Sequence, residues 1–219
     1  ITVSSFNTKK VNTMAHMFDY CTLLPSIDIS NFDTPELIKC NNMFWKSTSL
    51  TSINLSNFKT DKVDDLSAMF SGCNSLKSVD VSKFITSNVE LFSSLCENCY
   101  SLTSIDVSKF DTSKSTSFYS MFRGCSSLKN IDVSKFNTQK GTDFSSMFEN
   151  CTSLTSIDTT NFDTGNALRM SSIFSLCSNL EKIEVSNFRV NQITTLSYIF
   201  KNCKKLTSID LFNWKTNAL

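Results

Sequence analysis

Residues 101–110 read SLTSIDVSKF, and the same phrase returns along the chain at unchanged spacing. Its closing aromatic falls at Phe6, Phe32, Phe58, Phe84, Phe110, Phe136, Phe162, Phe188 and Trp214, each 26 residues after the last, with no insertion or deletion. A fixed period of this size marks an array in which each unit packs on its neighbours, not a single-core enzyme. Within the phrase, Leu102, Ile105 and Val107 alternate with Ser104, Asp106 and Ser108. That is the period-two pattern of a short strand with one face buried.

The rest of the unit reads as a helix. Thr recurs at 34, 60, 86, 112, 138, 164 and 216, and in one unit Pro35 and Glu36 follow it, the order of an N-cap, a first helical residue and a first-turn acid. Downstream, Leu37, Cys40, Met43, Phe44 and Ser47, and again Val63, Leu66, Met69, Phe70 and Cys73, are spaced as one buried helix face. Gly72, Asn98, Gly124, Asn150 and Asn202 stand just before the next rung and tolerate the left-handed conformation that ends a helix. The pattern predicts strand, turn, about three turns of helix and return in every unit. The fold expected is an α/β solenoid with nine parallel short strands on one face and eight short helices on the other, a single array over residues 1–219. Ile1 aligns with Ile27 and the chain stops five residues past Trp214. It therefore reads as about eight and a half uncapped repeats from a longer polypeptide.

With Leu102, Ile105, Val107 and Phe110 in the diagnostic places, the unit resembles the leucine-rich repeat L-x-x-L-x-L-x-x-N, with Phe where Asn is usual. Its length, its Met-Phe-x-x-Cys segment and its Ser-Leu-x-x-Ile-Asp-Val-Ser-x-Phe-x-Thr strand are similar to the BspA-like branch, the bacterial surface 26-residue repeat family. The resemblance covers the whole chain. It implies a cell-surface or secreted protein of bacteria, or of protists with related arrays, used in adhesion or in host and matrix contact.

Composition excludes several functions. The 21 basic and 20 acidic residues are spread along the array, which argues against nucleic acid or an anionic membrane surface as partner. No apolar run is long enough to span a bilayer, so no direct membrane insertion is expected. There is one histidine, His16, no nucleophile beside a base, no Gly-rich phosphate loop and no insertion from which to build an active site. The reading is therefore not an enzyme, with no cofactor. Seven of the nine cysteines, Cys21, Cys73, Cys99, Cys125, Cys151, Cys177 and Cys203, share one rung, with Ser47 in the missing place. They read as small buried hydrophobes rather than as a disulfide framework. The Cys96-x-x-Cys99 pair reads as core too, because Cys96 sits where Phe18, Phe44, Phe70 and Phe122 sit.

Function is expected on the outward face. Between the inward strand residues an acid recurs at Asp28, Asp80, Asp106, Asp132, Asp158, Glu184 and Asp210, with Asn54 breaking the run. Hydroxyls at Ser78, Ser104 and Ser108 and lysines at Lys83, Lys109 and Lys135 are placed to offset the repulsion within this column. Asp80, Asp106, Asp132 and Asp158 are the first partner-binding candidates. A calcium ladder on the same carboxylates is the lesser reading, since no loop has the acid spacing and Gly of an EF-hand. Four aromatics depart from the repeat and complete the candidate set: Trp45, Tyr119, Tyr198 and Phe212. The function expected is a non-enzymatic cell-surface or secreted binding module that contacts a protein or other macromolecular ligand through this face. The alternative is a self-associating structural subunit or spacer of an extracellular or viral assembly, packed side by side.

Overall fold

Successive 26-residue units form coils, each lying on the one before it, and two ladders of parallel backbone pairing join them. The computed structural model describes residues 3–215. Ile1, Thr216 and Leu219 lie outside the described residues. On the strand side, β1 (Ser26–Asp28) pairs with β2 (Ser52–Asn54) in the register Ser26↔Ser52, Ile27↔Ile53 and Asp28↔Asn54. Further along, β3 (Ser156–Ile157) pairs with β4 (Lys182–Ile183), and Ser78 bridges Ser104. A second ladder runs through Thr13, Lys39, Asp65, Leu91, Ser117, Asp143 and Arg169.

The eight helices expected from the sequence are not formed: among the described residues the segments assigned to them are strings of turns, and nine strands reduce to four short ones with isolated bridges. The hydrogen bonds explain why. In residues 14–21, alternate amides turn back three residues (Met17 to Met14, Asp19 to His16, Cys21 to Phe18), while the others reach the next coil (Met14 to Lys39, His16 to Asn41, Phe18 to Met43, Tyr20 to Trp45). None follows the four-residue return of an α-helix. Two residues per coil, four apart, have positive φ, as in His16 and Tyr20, Ala68 and Gly72, or Ser146 and Asn150. A non-glycine residue there costs about 1–2 kcal/mol. Each one as far as Leu176 donates its amide to a carbonyl of the following coil, a bond that the left-handed turn aims outward from its own coil. A helix would strand these bonds, and the many Ser, Asn and Thr residues are poor helix formers in any case.

Thr34 is likewise no helix cap. Its buried hydroxyl donates to the Lys59 carbonyl at 3.0 Å and accepts the Lys59 amide at 2.8 Å, clamping one coil to the next. Thr60, Thr86, Thr138 and Thr164 repeat the clamp on Ile85, Asp111, Asp163 and Arg189.

Between the ladders lies one continuous core. Phe rings stack from coil to coil, as Phe148 on Phe174 at 5.8 Å and 3° and Phe118 on Phe144 at 5.3 Å and 11°. Each buried ring contributes about 1.5–3 kcal/mol. The thiols of Cys73, Cys99, Cys125, Cys151, Cys177 and Cys203 each donate to a carbonyl 29 residues earlier, at 3.0–3.2 Å. All nine cysteines are free thiols. Burial pushes the Cys151 thiol up to about 12 and raises those of Cys73, Cys125 and Cys177 as well, which makes them inert as nucleophiles.

Candidate functional site

The strand pleat decides which side chains reach solvent. Ile105 and Val107 point into the core, so Ser104 and Asp106 point out, and the 26-residue register stacks each exposed residue on its equivalents. Asp80, Asp106, Asp132 and Asp158 thus form one exposed column. Each closes a small turn with the residue two further on. Asp106 Oδ1 accepts the Ser108 amide at 3.0 Å and hydroxyl at 2.6 Å; Asp132 does the same with Ser134, and Asp158 with Thr160. Asp80 takes the Ser82 amide at 2.9 Å. These hydroxyl and then amide bonds hold all four carboxyls below the usual range. Lys109 lowers Asp80 and Asp106 further, and Lys135 lowers Asp132. The turn occupies one oxygen, and among the described residues no hydrogen-bond donor reaches Oδ2 of Asp106 or Asp132.

Beside the acids runs a second column whose composition changes along the stack. Asn57, Asn161 and Asn187 donate their side-chain amides to the carbonyls of Ser30, Ser134 and Thr160, each 27 residues earlier, at 2.5–2.9 Å. In the three coils between them the position is Lys83, Lys109 and Lys135. From the sequence these lysines serve only to offset the charge of the Asp column. Their departure from Asn becomes informative once the amide clamp of the other coils is seen.

The four candidate aromatics are not brought together. Trp45 is half-buried, meets Tyr20 edge-on at 4.9 Å and lies under the Lys46 ammonium, 4.4 Å from its ring centre. Tyr119 is exposed three coils further on, about 14 Å along the stack at the usual strand spacing. Tyr198 is exposed another three coils on, with Lys201 over its ring at 4.8 Å. Phe212 is 85% exposed on the strand side. Among the described residues no three His, Cys, Asp or Glu side chains are grouped to hold a metal ion, and no helix is long and apolar enough to cross a membrane. His16 is paired with Asp19 at 2.9 Å.

A family model described as "Mycoplasma protein of unknown function, DUF285" matches the chain three times, over residues 1–104, 65–182 and 144–219. No curated protein matches. Among solved structures, a leucine-rich repeat protein from Bacteroides ovatus is similar at 19% identity over 90% of this chain and 63% of its own, with a TM-score of 0.34. A leucine rich cell surface protein from Faecalibacterium prausnitzii is similar at 19% identity over 85% of this chain and 48% of its own, with a TM-score of 0.42. The likeness to leucine-rich repeat proteins read from the repeat thus returns among solved structures. The chain spans less than two thirds of either.

Proposed function

The chain belongs to the DUF285 family, and from that premise we propose that it is a non-enzymatic binding module, displayed at a cell surface or secreted, that engages a macromolecular partner through its outward strand face. The observation that carries this reading is the exposed column of Asp80, Asp106, Asp132 and Asp158. In these four consecutive coils each carboxylate is exposed and uses Oδ1 to hold a local turn. Coil cohesion is supplied elsewhere, by the threonine clamps, the thiol ladder and the ring stacks. A rigid, repeated surface of carboxylates and hydroxyls has the form of the extended binding faces of repeat proteins. The same coils form a single array on this reading.

The test has two arms. Intact cells producing the protein are treated with a membrane-impermeant amine reagent and their medium is collected; labelled chain on the cells or chain in the medium is expected, and its absence from both overturns the surface or secreted placement. The purified chain and a variant carrying Asp80→Asn, Asp106→Asn, Asp132→Asn and Asp158→Asn are then compared for capture of surface and matrix components. Loss of capture in the variant is expected, and equal capture overturns the role of the strand face. The exposed Tyr119, Tyr198 and Phe212 favour a second reading, a structural subunit packed side by side, which predicts concentration-dependent self-association.

A further inference from the structure

We propose that the central coils of the strand face bind a linear, neutral, hydroxyl-rich polysaccharide, laid along the stack over Lys83, Lys109 and Lys135. This rests on the reading of the strand face as the binding surface and names the ligand class.

The departure from the repeat is confined to three consecutive coils. Where the position is Asn57, Asn161 or Asn187, the side chain closes onto a carbonyl of the previous coil. Where it is Lys83, Lys109 or Lys135, no donor among the described residues reaches the corresponding carbonyls of Ser56, Ser82 and Ser108. The three ammonium groups form no ion pair among the described residues. Each of these coils therefore gives up an internal bond and presents a cation and an open carbonyl, beside an exposed Asp whose Oδ2 is spare at Asp106 and Asp132. A groove of about 610 Å³ opens at the start of this column, lined by Asn57, Phe58, Lys59, Asp61, Lys83 and Ile85 among others. It supplies a concave entry next to the first lysine.

The donor and acceptor pattern selects the ligand. In the coils of Lys109 and Lys135 there are two free acceptors, the Asp Oδ2 and the open carbonyl, and one cationic donor. A carboxylated polymer would gain at each lysine but meet an Asp carboxylate at every coil as well, and its carboxylates cannot donate to the two free acceptors. A polyol satisfies both kinds of group, its hydroxyls donating to carboxylate and carbonyl while its oxygens accept from lysine. Spacing agrees as well. Stacked parallel strands rise about 4.8 Å per coil, so two coils rise about 9.6 Å, close to the same-face repeat of an extended β-1,4-linked pyranose chain, whose successive rings are turned over; every second sugar therefore meets every second coil, as Lys83 and Lys135 are placed. An extended peptide lacks this match, because its same-side residues are spaced by two strand residues, about 6.6 Å.

The test is titration of the full chain with xylohexaose, followed by amide shifts in NMR spectra and by calorimetry, alongside a hexamer of galacturonic acid. Shifts confined to the coils around Lys83, Lys109 and Lys135 are expected, with the neutral hexamer binding more tightly. The variant combining Lys83→Asn, Lys109→Asn and Lys135→Asn copies the clamp present in the other coils, so it keeps the fold while losing binding by about tenfold or more, as removal of charged hydrogen bonds dictates. Unchanged affinity in that variant overturns the site, and tighter binding of the acidic hexamer overturns the ligand class. If neither hexamer binds but the quadruple Asp variant still loses capture of a protein, the polysaccharide inference fails while the strand-face reading stands. If that capture is also unaffected, both fall.

Discussion

The hydroxyl of Ser47 donates to the carbonyl oxygen of Phe18 at 2.7 Å, the bond that the Cys73 thiol makes to Phe44 at 3.2 Å one coil later. One serine thus serves in a ladder otherwise built of thiols. The rung requires a small donor that satisfies a buried carbonyl, not sulfur chemistry. Cys125→Ser is therefore expected to melt close to the parent. Cys125→Ala removes the donor to the Cys96 carbonyl and lowers stability by about 1–3 kcal/mol. Thermal unfolding of the two variants checks this, and thiol labelling of the folded parent should reach the half-buried Cys21 and Cys203 before the raised, buried Cys151.

Phe110→Ala opens a cavity in a ring column in which Phe92 stacks on Phe110 at 5.6 Å. The expected loss is about 3–5 kcal/mol. Denaturant titration reads it directly, and an unchanged midpoint would mean that the rings do not hold the coils together.

The left-handed positions give a sharper test of backbone design. A Cβ on Gly124 would come within 2.6 Å of Asn98 Oδ1 at a φ of +74°, so Gly124→Ala should destabilise even though alanine is small. At Ser146, with φ 57°, replacement by Gly should be tolerated, whereas the β-branched Val should cost about 1–2 kcal/mol or more. The order of midpoints, Gly above Val at residue 146, is the check.

Much of this was readable beforehand, for definite reasons. The 26-residue period fixes which residues stack, so the Phe columns, the thiol rung and the outward Asp column follow from apolar and polar alternation alone. The positive φ at Gly72, Asn98, Gly124 and Asn150 was signalled by residue type. The helices were misread because Leu37, Cys40, Met43 and Phe44 are buried at helix-like intervals, yet their periodicity comes from successive tight turns. Sequence periodicity reports which side chains turn inward, not where the amides donate. The first left-handed column, with Ala68, Ser94 and Ser120 in it, carries no glycine to announce it. The clamps of Thr34 and Asn57 join residues 25 and 27 apart, and only the stacked coils bring those partners within reach.

The outward acids set a pH dependence. Hydrogen bonds from Ser108, Ser134 and Thr160 depress the carboxyls of Asp106, Asp132 and Asp158 in the folded state. A depressed carboxyl contributes stability above its unfolded value, and that contribution is lost as pH falls through its folded value. Stability should therefore be level near neutrality and decline in the acid range below about pH 4. Replacing the three acids with Asn should flatten the decline, as melting temperature against pH will show.

The account stands on coils made of turns and inter-coil ladders in place of helices. Far-ultraviolet circular dichroism of the purified chain tests this most directly. A spectrum without the paired helical minima is the predicted result, and a strong helical signature approaching eight helices would contradict the account.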